Sequence, residues 1–182
     1  MFRPVLILGD PLLRRKSAPI DDFSLPALKD EMRDLKEALE RFRREHGFGR
    51  GIAAPQIGIP KRMIALNLGR GTFVIANPEI VRRSGETFTM WDDCMSFPDL
   101  LVRVRRHVSV DLRYLDEDGV AKEWTDIGQA ESELLQHEID HLDGVMATDR
   151  AIEPEDILYK SEYQKHKKLY DERVDYVIAP TI

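Results

Sequence analysis

His137 and His141 stand four residues apart in His137-Glu138-Ile139-Asp140-His141. This fits the pattern H-E-x-x-H. On a helix, residues four apart share one face, so both imidazoles can reach one ion. Glu138 would then sit beside the metal. A metal lowers the pKa of a coordinated water toward roughly 7, and a neighbouring carboxylate can take its proton. Five-residue matches of this kind also occur on plain surface helices, so the surroundings decide. Two histidines and a water leave one coordination position to fill. The spacing that would supply a third histidine places Ala147 there instead. A glutamate from a following helix could serve, with Glu153, Glu155 and Glu162 as candidates. So could Cys94, the sole thiol of the chain. A thiolate with two imidazoles suits iron(II), zinc or similar ions.

Two further segments carry chemistry. Cys94 lies in Trp91-Asp92-Asp93-Cys94-Met95-Ser96, just after an expected strand. Gly49 to Gly58 reads Gly-Arg-Gly-Ile-Ala-Ala-Pro-Gln-Ile-Gly, whose small residues let backbone approach another group closely. Its Gln56 offers an uncharged amide donor, fit for an oxyanion-stabilising wall.

These segments need elements to hold them. Leu28, Met32, Leu35, Leu39 and Phe42 form one apolar stripe, which predicts an amphipathic helix from about Ser24, as its N-cap, to His46. Strands are expected at Arg62 to Leu68, Thr72 to Ala76, Gly85 to Met90 and Val102 to Ser109. Val108 to Tyr114 alternates and turns at Asp116 to Gly119 into Val120 to Trp124, a hairpin. Ala130 to Leu142 reads as the metal-binding helix, with Gly144 as its C-terminal cap. A third helix is expected from Pro154 to about Tyr170. The fold class is α+β, a strand-rich body around a central HExxH helix, in one domain spanning 1–182.

Composition sets bounds. The net charge is −6, which argues against a surface built wholly to grip nucleic acid. No apolar run is long enough to span a membrane. Val5 to Leu8 is too short for a signal-peptide core, and a lone cysteine fits a reducing compartment, so the expected location is the cytoplasm.

Taken together the three segments resemble peptide deformylase. That family carries G-x-G-[LI]-A-A-P-Q-x-G, E-G-C-L-S and Q-H-E-x-D-H-L-x-G in this order. The first matches at Gly49 to Gly58 and the third at Gln136 to Gly144. Ile7 to Arg14 and Asn77-Pro78-Glu79-Ile80 extend the likeness, which runs to about residue 150. The resemblance implies removal of the N-formyl group from the initiator methionine of nascent polypeptides, usually with iron(II). Zinc or nickel are alternatives. It implies Cys94, His137 and His141 as metal ligands and Glu138 as general acid/base. Gln56 and the Met95 backbone N–H would hold the oxyanion. Arg50, Gly51, Ile52 and Asp93 would border the substrate.

The middle motif departs from the family pattern. Asp92, Asp93 and Met95 replace Glu, Gly and Leu, and Arg50 replaces a small aliphatic residue of the methionine pocket. Opposite charges in a cleft are expected to pair, so Arg50 is predicted beside Asp93 at the pocket rim. Asp140 is expected to pair with Arg106. The basic run Lys160 to Lys168 is a solvated helix face or, as in one deformylase subclass, a ribosome contact. Two other readings remain: a related amidohydrolase acting on another N-acyl or peptide substrate, and a silent peptide-binding module. A glutamate-ligated zinc endopeptidase would leave Cys94 and Gln56 without a role.

Overall fold

The computed structural model describes residues 3–178. Helix α1 (Pro26–His46) buries all five residues of the expected stripe. It begins two residues later than the sequence suggested. Ser24 gives both its amide and its hydroxyl to Asp22 Oδ1, at 2.8 and 2.6 Å, and so is tied into a turn rather than capping the helix. Pro26 opens the first turn instead, where its missing N–H costs nothing. Gly47, at φ +74°, closes the helix by donating to the Arg43 carbonyl at 2.9 Å.

The main sheet has five antiparallel strands in the order β1-β2-β3-β6-β7. These are β1 (Gly51–Ala53), β2 (Met63–Asn67), β3 (Thr72–Arg83), β6 (Val110–Leu115) and β7 (Ala121–Ile127). Every residue of β2 is buried. The alternation explains why. Met63 and Ala65 pack in the cluster with α1, while Ile64 and Leu66 pack in the cluster with the second helix, α2 (Gln129–Leu142). β3 continues past the expected end at Ala76. It does so through an irregularity at Asn77, φ +48°, whose side chain bonds both the amide and the carbonyl of Ile20 at 2.8 Å. The β6–β7 hairpin forms as expected, with the Asp116 carboxylate accepting from the amides of Asp118 and Val120.

A second antiparallel sheet runs β4-β5-β8: β4 (Thr87–Asp92), β5 (Leu100–His107) and β8 (Ile157–Tyr159). Helix α2 lies between the main sheet and this one, packed on β1 and β2 and against β5. The Gln136 side chain ties it to the end of β5, accepting from the His107 amide and donating to its carbonyl, both at 3.0 Å. Gly144 follows α2 at φ +73°. A side chain there would meet the Arg14 carbonyl at 2.6 Å, so only glycine fits. The architecture is α+β, strands around a central helix.

The third helix differs from expectation. Pro154 lies in a turn. Ile157 to Tyr159 then pair with β5 instead of coiling. Two short helices follow, α3 (Lys160–Lys165) and α4 (Lys167–Asp171), with a break at His166. β-branched and aromatic residues next to an open strand edge favour the added strand. Among the described residues no helix is long and apolar enough to cross a membrane.

Candidate metal centre and active site

The cysteine follows directly from the end of β4, and α2 carries the histidines. Cys94 Sγ lies 3.2 Å from His141 Nε2, which lies 3.1 Å from His137 Nε2. All three donor atoms fall within 4.8 Å of one another, and all three residues are buried. Ligands of a tetrahedral ion with ordinary metal–sulfur and metal–nitrogen bonds stand about 3.4–3.6 Å apart. The donor set therefore fits one divalent ion. Glu153, Glu155 and Glu162 do not compete. Glu153 and Glu155 are exposed, and Glu162, half-buried, pairs with Lys165. Among the described residues no other cluster of this kind forms.

Electrostatics point the same way. Burial opposes charge on His137, yet Asp92 and the Cys94 sulfur hold its pKa well above the ordinary value. Burial and the adjacent His137 push His141 well below. The pocket thus favours one cation beside Cys94, a place a metal ion can take from a proton.

The next layer holds the ligands in position. Asp92 Oδ2 meets His137 Nδ1 at 2.9 Å, leaving Nε2 free for a metal. Burial works against the Asp92 charge, but His137 and Arg106 keep its carboxyl ionised far below the usual range. Arg106 donates to Asp92 at 3.0 Å and to Asp140 at 2.6 Å. The expected Asp140–Arg106 pair is present, and Arg150 joins it at 2.8 Å.

Glu138 sits on the same helix with burial pushing its carboxyl up to about 7. Its Oε2 is buried and has no hydrogen-bond partner among the described residues. Strand β1 passes it so closely that a Cβ on Gly51 would come within 3.0 Å of Oε1, which accounts for the glycine. Gln56 is anchored by its oxygen, which accepts from the Ala53 amide at 2.8 Å. Its Nε2 donates to Ser96 Oγ at 3.1 Å and lies 3.5 Å from Cys94 Sγ. The Met95 amide has no partner among the described residues.

These groups open onto a cavity of about 270 Å³. Arg50, Gly51, Gln56, Asp93, Met95 and Glu138 all line it. The Ile52 side chain does not. It points away from the cavity into the α1 core, the alternate face of β1. Arg50 and Asp93 do not pair, contrary to expectation. Arg50 binds Glu133 and the Ala130 carbonyl, while Asp93 binds Lys160 at 3.2 Å. Each charge found a nearer partner, Arg50 on α2 and Asp93 at the start of α3. Burial raises the Glu133 carboxyl to about 7 despite the arginine.

Sequence reasoning missed Glu133, Tyr163 and Tyr176 among the lining residues. Glu133 had a readable signal, since it lies four residues before His137 on one helix face. Tyr176 had none. It reaches the cavity because the amides of Asp175 and Tyr176 both donate to the Thr89 carbonyl, at 3.1 Å each.

The family model for polypeptide deformylase matches residues 2–156. The chain belongs to that family. It is 36% identical over 150 residues to the peptide deformylase of Thermotoga neapolitana, covering 82% of this chain and 87% of that one. The Heliobacterium modesticaldum peptide deformylase is 39% identical over 150 residues, covering 80% and 91%. A Legionella pneumophila peptide deformylase structure superposes with a TM-score of 0.77 at 28% identity, covering 94% of this chain and 96% of that one. The deformylase match by family model stops before β8, so Tyr163 and Tyr176 themselves lie beyond it, while Thr89, which holds Tyr176, lies within it.

Proposed function

We propose that this chain, acting as one domain in the cytoplasm, removes the N-formyl group from the N-terminal methionine of nascent polypeptides. The observation that carries this is the partnerless, buried Glu138 carboxylate oxygen beside the Cys94, His137 and His141 donors. The two other readings, a different N-acyl substrate and a silent binding module, give that placement less reason.

Cys94, His137 and His141 would hold the ion, a donor set open to iron(II), zinc or nickel, with iron(II) the ion that the family resemblance implies. When bound, the ion supplies Lewis acidity, which acidifies water and polarises the formyl oxygen. Glu138 takes the proton of the attacking water and delivers it to the leaving amine nitrogen. Gln56 Nε2 and the Met95 amide donate to the oxygen as negative charge builds on it. Asp92 keeps His137 in the tautomer that ligation requires.

Protein purified without oxygen is expected to carry one ion per chain and to release formate from a formyl-Met-Ala-Ser peptide. Metal analysis with a formate assay checks this. Metal-loaded protein that releases no formate removes the reading.

For the ribosome contact that the resemblance implies, we propose Lys165, Lys167 and Lys168 as the phosphate-facing residues. Lys165 and Lys167 already pair with Glu162 and Asp171, so rRNA would have to displace both acids. Changing all three lysines to glutamate is expected to weaken co-sedimentation with ribosomes at low salt and to leave turnover of small peptides intact. Unchanged co-sedimentation would assign the segment to solvent.

A further inference from the structure

The cavity floor is reactive, and one of its walls is charged. Glu133 precedes His137 by one helical turn on the same face of α2, so it borders the floor directly. Its side chain is 2% exposed and binds Arg50, itself 13% exposed. Arg50 also donates to the Ala130 carbonyl at 2.7 Å. These two bonds engage only part of a guanidinium with five N–H donors. Trp91, Leu134 and Tyr176 complete this part of the cavity.

We infer that the Arg50–Glu133 pair governs the choice of first side chain, admitting those that end in a hydrogen-bonding group alongside methionine. This rests on the deformylase reading, because the substrate's first side chain is the group that enters next to the reactive floor. A thioether filling this space displaces water from the ion pair and returns almost no hydrogen bonding. A side chain of similar length ending in an amide replaces those lost bonds. An apolar wall in the same place would reverse the order, since a buried amide would then go unpaired.

The test compares formyl-Met-Ala-Ser with formyl-Gln-Ala-Ser in wild type and in Arg50→Val/Glu133→Leu. Calorimetry of the product peptides Met-Ala-Ser and Gln-Ala-Ser on the same metal-loaded proteins gives a readout independent of turnover. The double variant is expected to raise the Met:Gln ratio of kcat/KM by at least about tenfold, and the binding ratio should move with it. Should that variant fold poorly, Arg50→Gln/Glu133→Gln keeps the hydrogen bonds and should leave the wild-type ratio nearly unchanged. An equal Met:Gln ratio in wild type and Arg50→Val/Glu133→Leu overturns the inference, as does a tenfold rise in Arg50→Gln/Glu133→Gln. A wild-type protein that releases formate from neither peptide overturns the deformylase reading, and the binding ratios separate the two failures.

Discussion

Glu138→Gln is expected to lower kcat for a formyl-methionyl peptide by about 10²- to 10⁴-fold, the usual range for a positioned general acid/base. The amide keeps the size and the burial of the carboxylate but cannot accept the water's proton. Metal content should stay at the wild-type level, because Glu138 is not among the three converging donors. Gly51 lies within contact of this side chain, so the near-isosteric change is the one that avoids a clash. Single-turnover kinetics with metal analysis would check both halves. A variant that keeps more than a tenth of the wild-type kcat would show that another group moves the proton.

Arg106→Leu is expected to cost about 3–5 kcal/mol of stability, since it leaves a buried carboxylate without its cation. For a chain of this length that lowers Tm by about 6–20 °C. Arg106 and Asp92 are each 4% exposed. The loss falls unevenly. Asp140 keeps Arg150, whereas Asp92 is left with His137 alone. Metal affinity should therefore drop as well, by roughly 10–100-fold, as when an outer partner of a ligating histidine is lost. Arg106→Lys should fall between, because one ammonium cannot bridge two carboxylates as a guanidinium fork does. Calorimetric unfolding with and without metal would measure both terms. A Tm within 2 °C of wild type would mean that water reaches Asp92 and screens it.

The metal site could be read in the sequence because its chemistry is local. H-E-x-x-H fixes two ligands and a base on one helix face, and Cys94 was the one thiol available to complete them. The α1 stripe and the β6–β7 hairpin were legible for the same reason, since periodicity and turn residues act over a few positions. Asp140 with Arg106 was legible because the strand after the cysteine motif carries arginines beside that helix, although Arg150, which joins the pair, was not foreseen. Arg50 with Asp93 was not. Charge sign says that a group needs a partner, and only the packing of α2 and α3 decides which partner is near. The end of the chain was hidden for a related reason. Ile157 to Tyr159 are too few for a period, and their strand exists only because β5 offers an edge.

That late attachment bears on the order in which the molecule is completed during its own synthesis. Thr89 is held by Asp175 across 86 residues of chain, and Trp91 donates to the Tyr170 carbonyl at 2.9 Å. The donors for the ion are all present once His141 has been made, but 35 more residues separate it from Tyr176. At ordinary translation rates that is a delay of roughly 2–7 s. Over that interval the growing chain holds all three donor residues but not yet Tyr176, one of the residues that line the cavity. The cavity is therefore walled last, by residues made after its metal donors, and the end of the chain seats over a site whose ligands precede it.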